Sequence, residues 1–312
     1  MTIESETDVS RELVARLARV PGLELREREP LSRHTSFGIG GPADLLAIPS
    51  TPDALTRAVA TAHELGVTPL YLGNGTNLIV RDGGVRGLVI RMAGGLGEIT
   101  VAGTRATVEA GASLGAVCFQ CAQRGLSGLE FAAGIPGTLG GALIMNAGAN
   151  GGEMADVTTW VDVVTPDGRI ERLDHADLDF GYRRSGLRDL GVAVLRAGLL
   201  LCEGDATQIH CKLCDTIAAR CAKQPVCRPS AGSIFKRPGD DYAGRLLEAA
   251  GAKGMRVGRA AVSTKHANFV VNLGGATASD VIRLIAAAQE LVYEKFGVML
   301  EPEVCFAGED LR

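Results

Sequence analysis

Two glycine-rich segments set among short apolar runs constrain this chain more than any other feature of its sequence. Glycine accounts for 41 of the 312 residues, close to twice its usual share of about 7%. One segment is Gly73-Asn-Gly-Thr-Asn77 and the other is Gly134-Ile-Pro-Gly-Thr-Leu-Gly-Gly141. Glycine permits tight turns and close backbone approaches that other residues do not. We therefore expect short strands joined by tight loops, with helices between them.

Helix signals lie on both sides of these loops. Thr51-Pro52-Asp53 predicts a helix start, with a Thr cap, a proline in the first turn and an acid facing the positive helix end. Gly66 predicts the end of that helix. The segment from Ser279-Asp280 to Gly297 predicts a longer helix, because its apolar residues recur at intervals of three and four. A short helix is predicted at 11–19.

Strand signals occupy much of the remaining chain. No helix is predicted directly after Asn77, and a terminal strand is predicted at 298–306. Alternation along that strand places Glu301 and Glu303 on one face. Short apolar runs bounded by turn residues predict further strands at 67–72, 78–80, 88–92, 99–102 and 106–110.

The loop at 73–77 matches neither of the common nucleotide-binding motifs. No Gly-Lys-Ser/Thr follows it, as in a P-loop, and Leu78 stands where the dinucleotide fingerprint has its third glycine. Without a following helix, a phosphate would be bound by a concave nest of backbone N–H groups. The glycines of 134–141 let backbone approach a flat or charged ligand closely. Ordinary turns and a dinucleotide site both remain compatible with this pair of loops.

Charge is unevenly distributed along the chain. The formal net charge is −4, yet residues 212–265 hold eleven Lys or Arg against four Asp or Glu. Such a segment predicts either a domain that handles an anion or a solvated basic face. Nucleic acid is not expected as a partner, because the net charge is negative and only Phe235 and Tyr242 interleave with the cations.

The eight cysteines include two Cys-x-x-Cys pairs, Cys118/Cys121 and Cys211/Cys214. This spacing is typical of zinc sites, but no supporting histidines accompany the pairs, and both lie in helical patterns. We therefore interpret both pairs as small apolar residues of a core, and we predict neither a metal site nor disulfides.

Targeting and membrane signals point to a cytoplasmic protein. The acidic start at 1–8 lacks the basic and apolar regions of a signal peptide. The longest uncharged stretch, between Glu130 and Glu153, has enough residues to span a bilayer. Its seven glycines and Pro136 favour a loop region instead, so no membrane association is expected.

Six short motifs occur in order along the chain, and together they indicate a function. They are His34-Thr-Ser-Phe-Gly-Ile-Gly-Gly-Pro-Ala-Asp44, Leu72-Gly-Asn-Gly-Thr-Asn77, Gly134–Gly141 with Met145-Asn-Ala-Gly148, Phe180-Gly-Tyr-Arg183, Ala231-Gly-Ser-Ile-Phe-Lys236 and Leu300-Glu-Pro-Glu-Val304. With these motifs the chain resembles the UDP-N-acetylenolpyruvoylglucosamine reductase (MurB) family of flavoenzymes, over nearly its whole length.

The resemblance implies an α+β fold. It implies an FAD-binding region of the vanillyl-alcohol-oxidase (PCMH) type, with two subdomains at 1–85 and 86–204. A C-terminal α+β substrate-binding domain follows at 205–312, and its terminal strand can return to the FAD region. Only fifty residues separate Arg183 from Ser233, as in the short-loop class of the family, which lacks an inserted loop over the substrate.

The resemblance also implies a reaction: NADPH-dependent reduction of UDP-N-acetylenolpyruvoylglucosamine to UDP-N-acetylmuramate through FAD, a step of peptidoglycan precursor synthesis. In this family flavin N5 delivers hydride to the methylene carbon of an enolpyruvyl ether. Positive charge or a proton donor must then stabilise the adjacent carboxylate as an enolate develops. Arg183 matches the residue that holds this carboxylate, Ser233 matches the general acid, and Glu303 matches the acidic partner.

Further positions are assigned to the cofactor and the substrate by the same resemblance. Those expected to bind FAD are Tyr71, Gly73, Asn74, Gly75, Thr76, Asn77, Gly134, Ile135, Pro136, Gly137, Gly140, Gly141, Asn146, Ala147 and Gly148. Those expected to bind the UDP-sugar substrate are Tyr182, Lys223, Lys236, Arg237, Tyr242 and Arg245. The cations in the second set would neutralise a diphosphate and a carboxylate.

Two positions depart from the family pattern: Gly38 stands where the family usually has arginine or a similar residue, and Cys305 stands where it commonly has arginine. Two other functions also fit the sequence. One is a flavoprotein oxidase with the same cofactor fold, and the other is a non-catalytic protein that binds flavin or a nucleotide sugar. A monomer is favoured, although the sequence does not specify the oligomeric state.

Overall fold

Short strands and tight loops alternate with helices in the computed structural model, which describes residues 3–311 and the burial of residues 8–311. The helices are α1 (Ile3–Leu17), α2 (Pro52–Glu64), α3 (Leu114–Gln123), α4 (Leu139–Ile144), α5 (Ala206–Lys223), α6 (Ala243–Ala250) and α7 (Ala278–Phe296). The strands are β1 (Leu23–Pro30), β2 (Pro42–Pro49), β3 (Leu70–Leu72), β4 (Leu78–Val80), β5 (Val85–Arg91), β6 (Ile99–Ala102), β7 (Arg105–Glu109), β8 (Leu126–Ser127), β9 (Gly148–Ala149), β10 (Gly152–Glu153), β11 (Thr158–Val164), β12 (Ile170–Asp174), β13 (Ala193–Leu200), β14 (Cys202–Glu203), β15 (Arg256–Val257), β16 (Ala260–Val262), β17 (Val270–Asn272) and β18 (Cys305–Ala307). This mixture confirms the α+β class.

The chain divides into two compact units, each made of three separate segments. The first unit contains the residues up to Glu27, Leu45–Asn74 and Gly87–Ala218, and the second contains Arg28–Asp44, Gly75–Arg86 and the residues from Ala219 onward. The division into three domains at 85/86 and 204/205 stays a prediction.

The first unit is organised around an antiparallel sheet with the strand order β12-β11-β13-β7-β6. The four-stranded sheet β1-β2-β5-β3 also contributes most of its residues to this unit. Helix α2 begins where the sequence predicts, since the Thr51 hydroxyl accepts a hydrogen bond from Ala54 N. Its buried stripe includes Leu55, Val59 and Ala62. These side chains pack in one apolar cluster with α3 and with strands of both sheets.

The second unit has its own apolar core. The antiparallel sheet β15-β16-β17 and helices α6 and α7 bury side chains against it. Phe37 and Ile79 join the same core from two earlier segments of the chain. Strand β4, which holds Ile79, pairs in parallel with β18, so that Cys305 lies opposite Leu78. This pairing joins residues from distant parts of the sequence within one unit.

Several predicted element boundaries differ from the structure. The cap of α7 is Thr277, not Ser279: Thr277 and Asp280 form a reciprocal capping box, while the Ser279 hydroxyl donates to the Asp82 carboxylate. The terminal strand is restricted to β18, because Pro302 has no N–H for a strand ladder. Glu301 and Glu303 therefore precede the regular strand that was expected to place them on one face. Proline at position 69 likewise shortens the strand predicted at 67–72 to β3.

The two Cys-x-x-Cys pairs have opposite environments. Cys118 and Cys121 are buried in α3, as expected for core residues, but Cys211 and Cys214 are exposed on α5. The core interpretation of the second pair is therefore wrong. Helix α5 buries only the stripe of Ile209 and Leu213, and a helical turn of 3.6 residues carries both cysteines away from that stripe.

Among the described residues, no group of three or more His, Cys, Asp or Glu side chains is placed to hold a metal ion. No helix between residues 3 and 311 combines the length and the apolar character that a membrane crossing requires.

Candidate functional site

The two glycine-rich segments meet within the first unit at Gly73 and Thr138. A Cβ atom at Gly73 would lie 2.5 Å from Thr138 Oγ1, so any side chain at position 73 would overlap that hydroxyl. Thr138 is 1% exposed and cannot move into solvent. The lack of a side chain at Gly73 therefore allows the end of β3 to lie directly against the second loop.

Backbone hydrogen bonds fix the second segment. Thr138 caps α4 by accepting a hydrogen bond from Gly141 N, and the N–H of Gly140 donates to the carbonyl of Ala110. A Cβ atom at Gly140 would lie 3.0 Å from the Cβ of Ala110, so glycine permits this close approach. Gly137 adopts a φ of 140°, a conformation that favours glycine.

The second segment also supports the turn that carries Arg183. Asn146 is fully buried, and its amide donates to Gly181 O at 3.1 Å while its carbonyl oxygen accepts from Ala155 N at 3.0 Å. Its side chain thus binds backbone of its own unit. Gly181 and Arg184 close a turn, with Arg183 at a φ of 57°. The Arg183 guanidinium lies 5.2 Å from the ring centroid of exposed Tyr182.

In the second unit, Gly75 packs against the segment around Thr35. Gly75 has a φ of 57°, and a Cβ there would lie 2.7 Å from His34 O and 2.8 Å from Thr35 Cα. Ser36 N donates to Gly75 O at 3.2 Å, and the Ser36 hydroxyl donates to Ser230 O at 2.7 Å. The motifs at 34–44 and 72–77 are therefore joined at Ser36, which also binds Ser230, the residue directly before the motif at 231–236.

Ser233 and Glu303 lie on neighbouring backbone segments of the second unit. Ser233 forms an antiparallel bridge with Phe269, and on the other side Glu303 N donates to Ile234 O at 2.7 Å. Both Ser233 and Glu303 are half-buried. The structure thus brings together two of the three predicted catalytic residues, although seventy positions separate them in sequence. Arg183 belongs to the first unit.

The predicted substrate-binding cations differ in their interaction partners. Lys236 forms an ion pair with Glu301, and Arg245 forms two hydrogen bonds to Asp241. The Arg237 guanidinium lies 4.5 Å from the ring centroid of Tyr242. Lys223 is exposed at the end of α5.

Two polar residues to which the sequence assigns no role, Asn268 and His266, also shape this unit. Asn268 is buried, and its side chain accepts from Phe235 N and donates to Phe235 O, both at 2.9 Å. It thereby holds both backbone polar groups of Phe235, two residues after Ser233. A polar residue beside the apolar run Phe269-Val-Val271 was the available signal, because a buried amide needs hydrogen-bond partners.

The second is His266, which lies close to Gly244: a Cβ at Gly244 would be 3.1 Å from His266 Cε1. Burial lowers the pKa of His266, the charge of Lys253 lowers it further, and Glu248 acts in the opposite direction. His266 is therefore a neutral imidazole at pH 7.

The residues of the two glycine loops suit a dinucleotide that carries a flat ring and a diphosphate. Neither 73–77 nor 134–141 contains a charged side chain, and Gly141 is exposed, with only Thr138 Oγ1, at 3.7 Å, near the position of a Cβ. Backbone can therefore reach a ligand at Gly141 without steric hindrance. Burial raises the pKa of nearby Tyr71 to about 12, so its phenol remains a neutral hydroxyl.

Comparison with known proteins agrees with this arrangement. Residues 43–174 match the model of the FAD binding domain family, and residues 224–307 match the model described as UDP-N-acetylenolpyruvoylglucosamine reductase, C-terminal domain. A UDP-N-acetylenolpyruvoylglucosamine reductase of Rubrobacter xylanophilus is 50% identical over 282 residues, which cover 90% of this chain and 94% of that protein.

Solved structures are similar in fold as well. The crystal structure of UDP-N-acetylenolpyruvylglucosamine reductase (MurB) from Thermus caldophilus has a TM-score of 0.80 and 39% identity, and the match covers 92% of this chain and 99% of that one. A BBE-like protein of Physcomitrella patens has a TM-score of 0.50 and 20% identity, covering 61% of this chain and 44% of that one. The second match concerns the fold alone.

Proposed function

The chain belongs to the UDP-N-acetylenolpyruvoylglucosamine reductase family, and from this premise we propose that it reduces UDP-N-acetylenolpyruvoylglucosamine to UDP-N-acetylmuramate with FAD as cofactor and NADPH as reductant. The observation that carries the proposal is the position of Ser233 beside the segment of Glu303, held by the 2.7 Å bond from Glu303 N to Ile234 O. A proton donor and a carboxyl group in adjacent positions suit protonation of an enol-type intermediate.

FAD would be held by the backbone of the two glycine loops, where Gly141 leaves open space. When bound, FAD supplies the hydride-transfer chemistry of the reaction. The loops bind and orient it through uncharged backbone groups, as a nest of N–H groups can do for phosphate. This assignment covers Tyr71, Gly140 and Gly141 together with residues 73–76, 134–137 and 146–148, while the side chain of Asn77 donates to Glu303 O.

Each catalytic residue has a distinct role in the proposed reaction. Arg183 binds the enolpyruvyl carboxylate, because a planar guanidinium matches a carboxylate with two parallel hydrogen bonds. Its charge stabilises the negative charge that develops there. The Ser233 hydroxyl donates a proton to the carbon next to the carboxylate, and Glu303 stabilises the enol form of the intermediate.

The remaining expectations about partners are part of the same proposal. Lys223, Lys236, Arg237 and Arg245 would neutralise the diphosphate and the carboxylate of the substrate, and Tyr182 and Tyr242 are also assigned to substrate binding. The protein is a cytoplasmic monomer that binds neither nucleic acid nor membrane.

One anaerobic experiment tests the function. The flavin of the purified protein is bleached with NADPH, and UDP-N-acetylenolpyruvoylglucosamine is then added while absorbance is recorded. We expect immediate reoxidation with formation of UDP-N-acetylmuramate. A flavin that stays bleached until oxygen is admitted would instead favour the oxidase, and one that NADPH does not bleach would favour a binding protein.

The Ser233→Ala variant tests the proton donor. Bleaching by NADPH should be unchanged, because Ser233 has no part in that half-reaction, while reoxidation by the substrate should slow by about 10²–10⁴-fold. Ser230→Ala is the matched control three residues earlier, and it should react like the unmodified protein. Normal reoxidation in Ser233→Ala would remove Ser233 from the mechanism.

A further inference from the structure

We infer that Asn77 is a positioning residue for Glu303: its side-chain amide holds the backbone that presents this acid, instead of binding the cofactor. The inference rests on the proposed function. It assigns to one residue of the first glycine loop a task in the second half-reaction, which is the reoxidation of the flavin by the substrate. Both residues belong to the second unit.

The contacts of Asn77 join it to the terminal segment at two points. Its Nδ2 donates to Glu303 O at 3.1 Å, and its own carbonyl accepts from Cys305 N at 2.9 Å. The two bonds flank Val304. They extend the parallel pairing of β4 and β18, in which Cys305 lies opposite Leu78, by two residues towards the N-terminal side of β18. Glu303 lies in this extension, beyond the regular ladder.

Glu303 is also held from its other side. Its N–H donates to Ile234 O at 2.7 Å, while its C=O accepts from Asn77. Both polar groups of this one residue are thus fixed, one by the segment that contains Ser233 and the other by the glycine loop. With its N–H and C=O held in place, the Cα–Cβ bond of Glu303 has a defined direction relative to Ser233.

A side-chain amide is well suited to this position. The bond needs a donor directed at a carbonyl, and the amide nitrogen provides two N–H groups. A carboxylate of the same size would place an acceptor against an acceptor. A displacement of about 1 Å at a catalytic group can reduce the rate by about 10²-fold. Loss of the hydrogen bond from Asn77 to Glu303 O would therefore slow proton transfer before it affected folding.

The experiment compares Asn77→Asp with a matched control in the FAD-loaded protein. Asn77→Asp retains the size of the side chain and loses the donor. Gln289→Glu makes the equivalent change at another side-chain amide, whose Nε2 donates to Leu300 O at 2.8 Å in the same terminal segment. Asn77→Ala repeats the test without an added charge if the aspartate variant does not fold.

The two half-reactions are measured separately. We expect Asn77→Asp to retain FAD and to be bleached by NADPH at the normal rate, while its reoxidation by UDP-N-acetylenolpyruvoylglucosamine slows by about 10–100-fold. The substrate concentration for half-maximal rate should change by less than about threefold. Gln289→Glu should match the unmodified protein in both half-reactions.

Other results would overturn the assignment. Loss of FAD from Asn77→Asp would return Asn77 to the cofactor-binding set, and equal slowing of both half-reactions would indicate a purely structural role. Normal reoxidation in both Asn77 variants would show that the reaction does not need the hydrogen bond from Asn77 to Glu303. If the unmodified protein itself were not reoxidised by the substrate, the proposed function would fail first, and this assignment with it.

Discussion

Replacing Gly73 with alanine tests the meeting point of the two glycine loops. The new Cβ would lie 2.5 Å from Thr138 Oγ1, well inside normal contact distance. Thr138 is almost fully buried, so the hydroxyl must rotate or the loops must separate. Rotation would break the bond that Thr138 accepts from Gly141 N, which caps α4.

The expected cost follows from these two effects. Overpacking a close contact typically costs about 1–3 kcal/mol, and loss of a threonine cap costs typically about 1 kcal/mol. We therefore expect Gly73→Ala to lower the free energy of unfolding of the first unit by about 2–4 kcal/mol. Removing the hydroxyl should relieve most of the clash, so Thr138→Ala alone should cost about 1 kcal/mol, and the double variant should cost little more.

Urea unfolding of the flavin-free protein is a suitable assay. Trp160 is the only tryptophan of the chain, and it lies on β11 of the unit that contains Gly73 and Thr138. Its fluorescence therefore reports unfolding where the substitutions are made. Gly97→Ala is the control, because a Cβ at Gly97 would meet nothing closer than Ala112 Cα at 4.0 Å.

A double-mutant cycle tests whether Gly73 and Thr138 are energetically coupled. Strong non-additivity is expected, because each substitution affects the same contact. Strictly additive losses for Gly73→Ala and Thr138→Ala would refute the reasoning, since the two positions would then not be coupled. A Gly73→Ala variant as stable as Gly97→Ala would do so as well.

Three further predictions concern charge, thiols and the substrate carboxylate. Burial acts to raise the pKa of Asp162, but hydrogen bonds from Arg172 and Arg196 outweigh it and the pKa is lowered. Asp162→Asn should therefore reduce the free energy of unfolding by about 1–3 kcal/mol at pH 7. The difference in unfolding free energy between the two proteins should shrink as the pH falls below about 3.9, the pKa of an aspartate in the unfolded chain, towards the lower pKa of Asp162 in the folded protein. An unchanged difference at pH 3 would contradict this prediction. Burial raises the pKa of Cys118 to about 12 and that of Cys121 to about 11, so iodoacetamide at pH 8 should label exposed Cys211 and Cys214 rapidly and the buried pair only after unfolding, as peptide mass spectrometry can establish. Arg183→Lys should be bleached normally by NADPH but lose about 10²-fold in reoxidation rate, because an ammonium lacks the planar fork; equal rates would show that charge alone suffices.

Local chemistry made much of the fold predictable. The cap at Thr51, the end of α2 near Gly66 and the loop before β4 all depend on neighbouring residues, and the structure confirms them. Which face of a helix is buried depends on distant elements. For this reason the interpretation failed for Cys211 and Cys214, although it succeeded for the pair in α3.

The residues of the site were predictable from the sequence, but the hydrogen bonds that connect them were not. The family motifs identify Ser233, Arg183 and Glu303, and no pattern of charge or periodicity would have singled them out. The hydrogen bond from Asn77 to Glu303 spans 226 positions, and that from Ser36 to Ser230 spans 194. Such bonds leave no local signal, because each partner sits in a segment that looks like an ordinary turn or strand end.

The pairing of β4 with β18 has a consequence for the synthesis of the protein. Residues 78–80 leave the ribosome early, but the partner of β4 at residues 305–307 is made more than two hundred codons later. At about 5–20 residues per second, Ile79 waits for its parallel neighbour for on the order of 10–45 seconds. During that interval an apolar strand is open to wrong partners, and a chaperone that shields it would raise the yield of active enzyme.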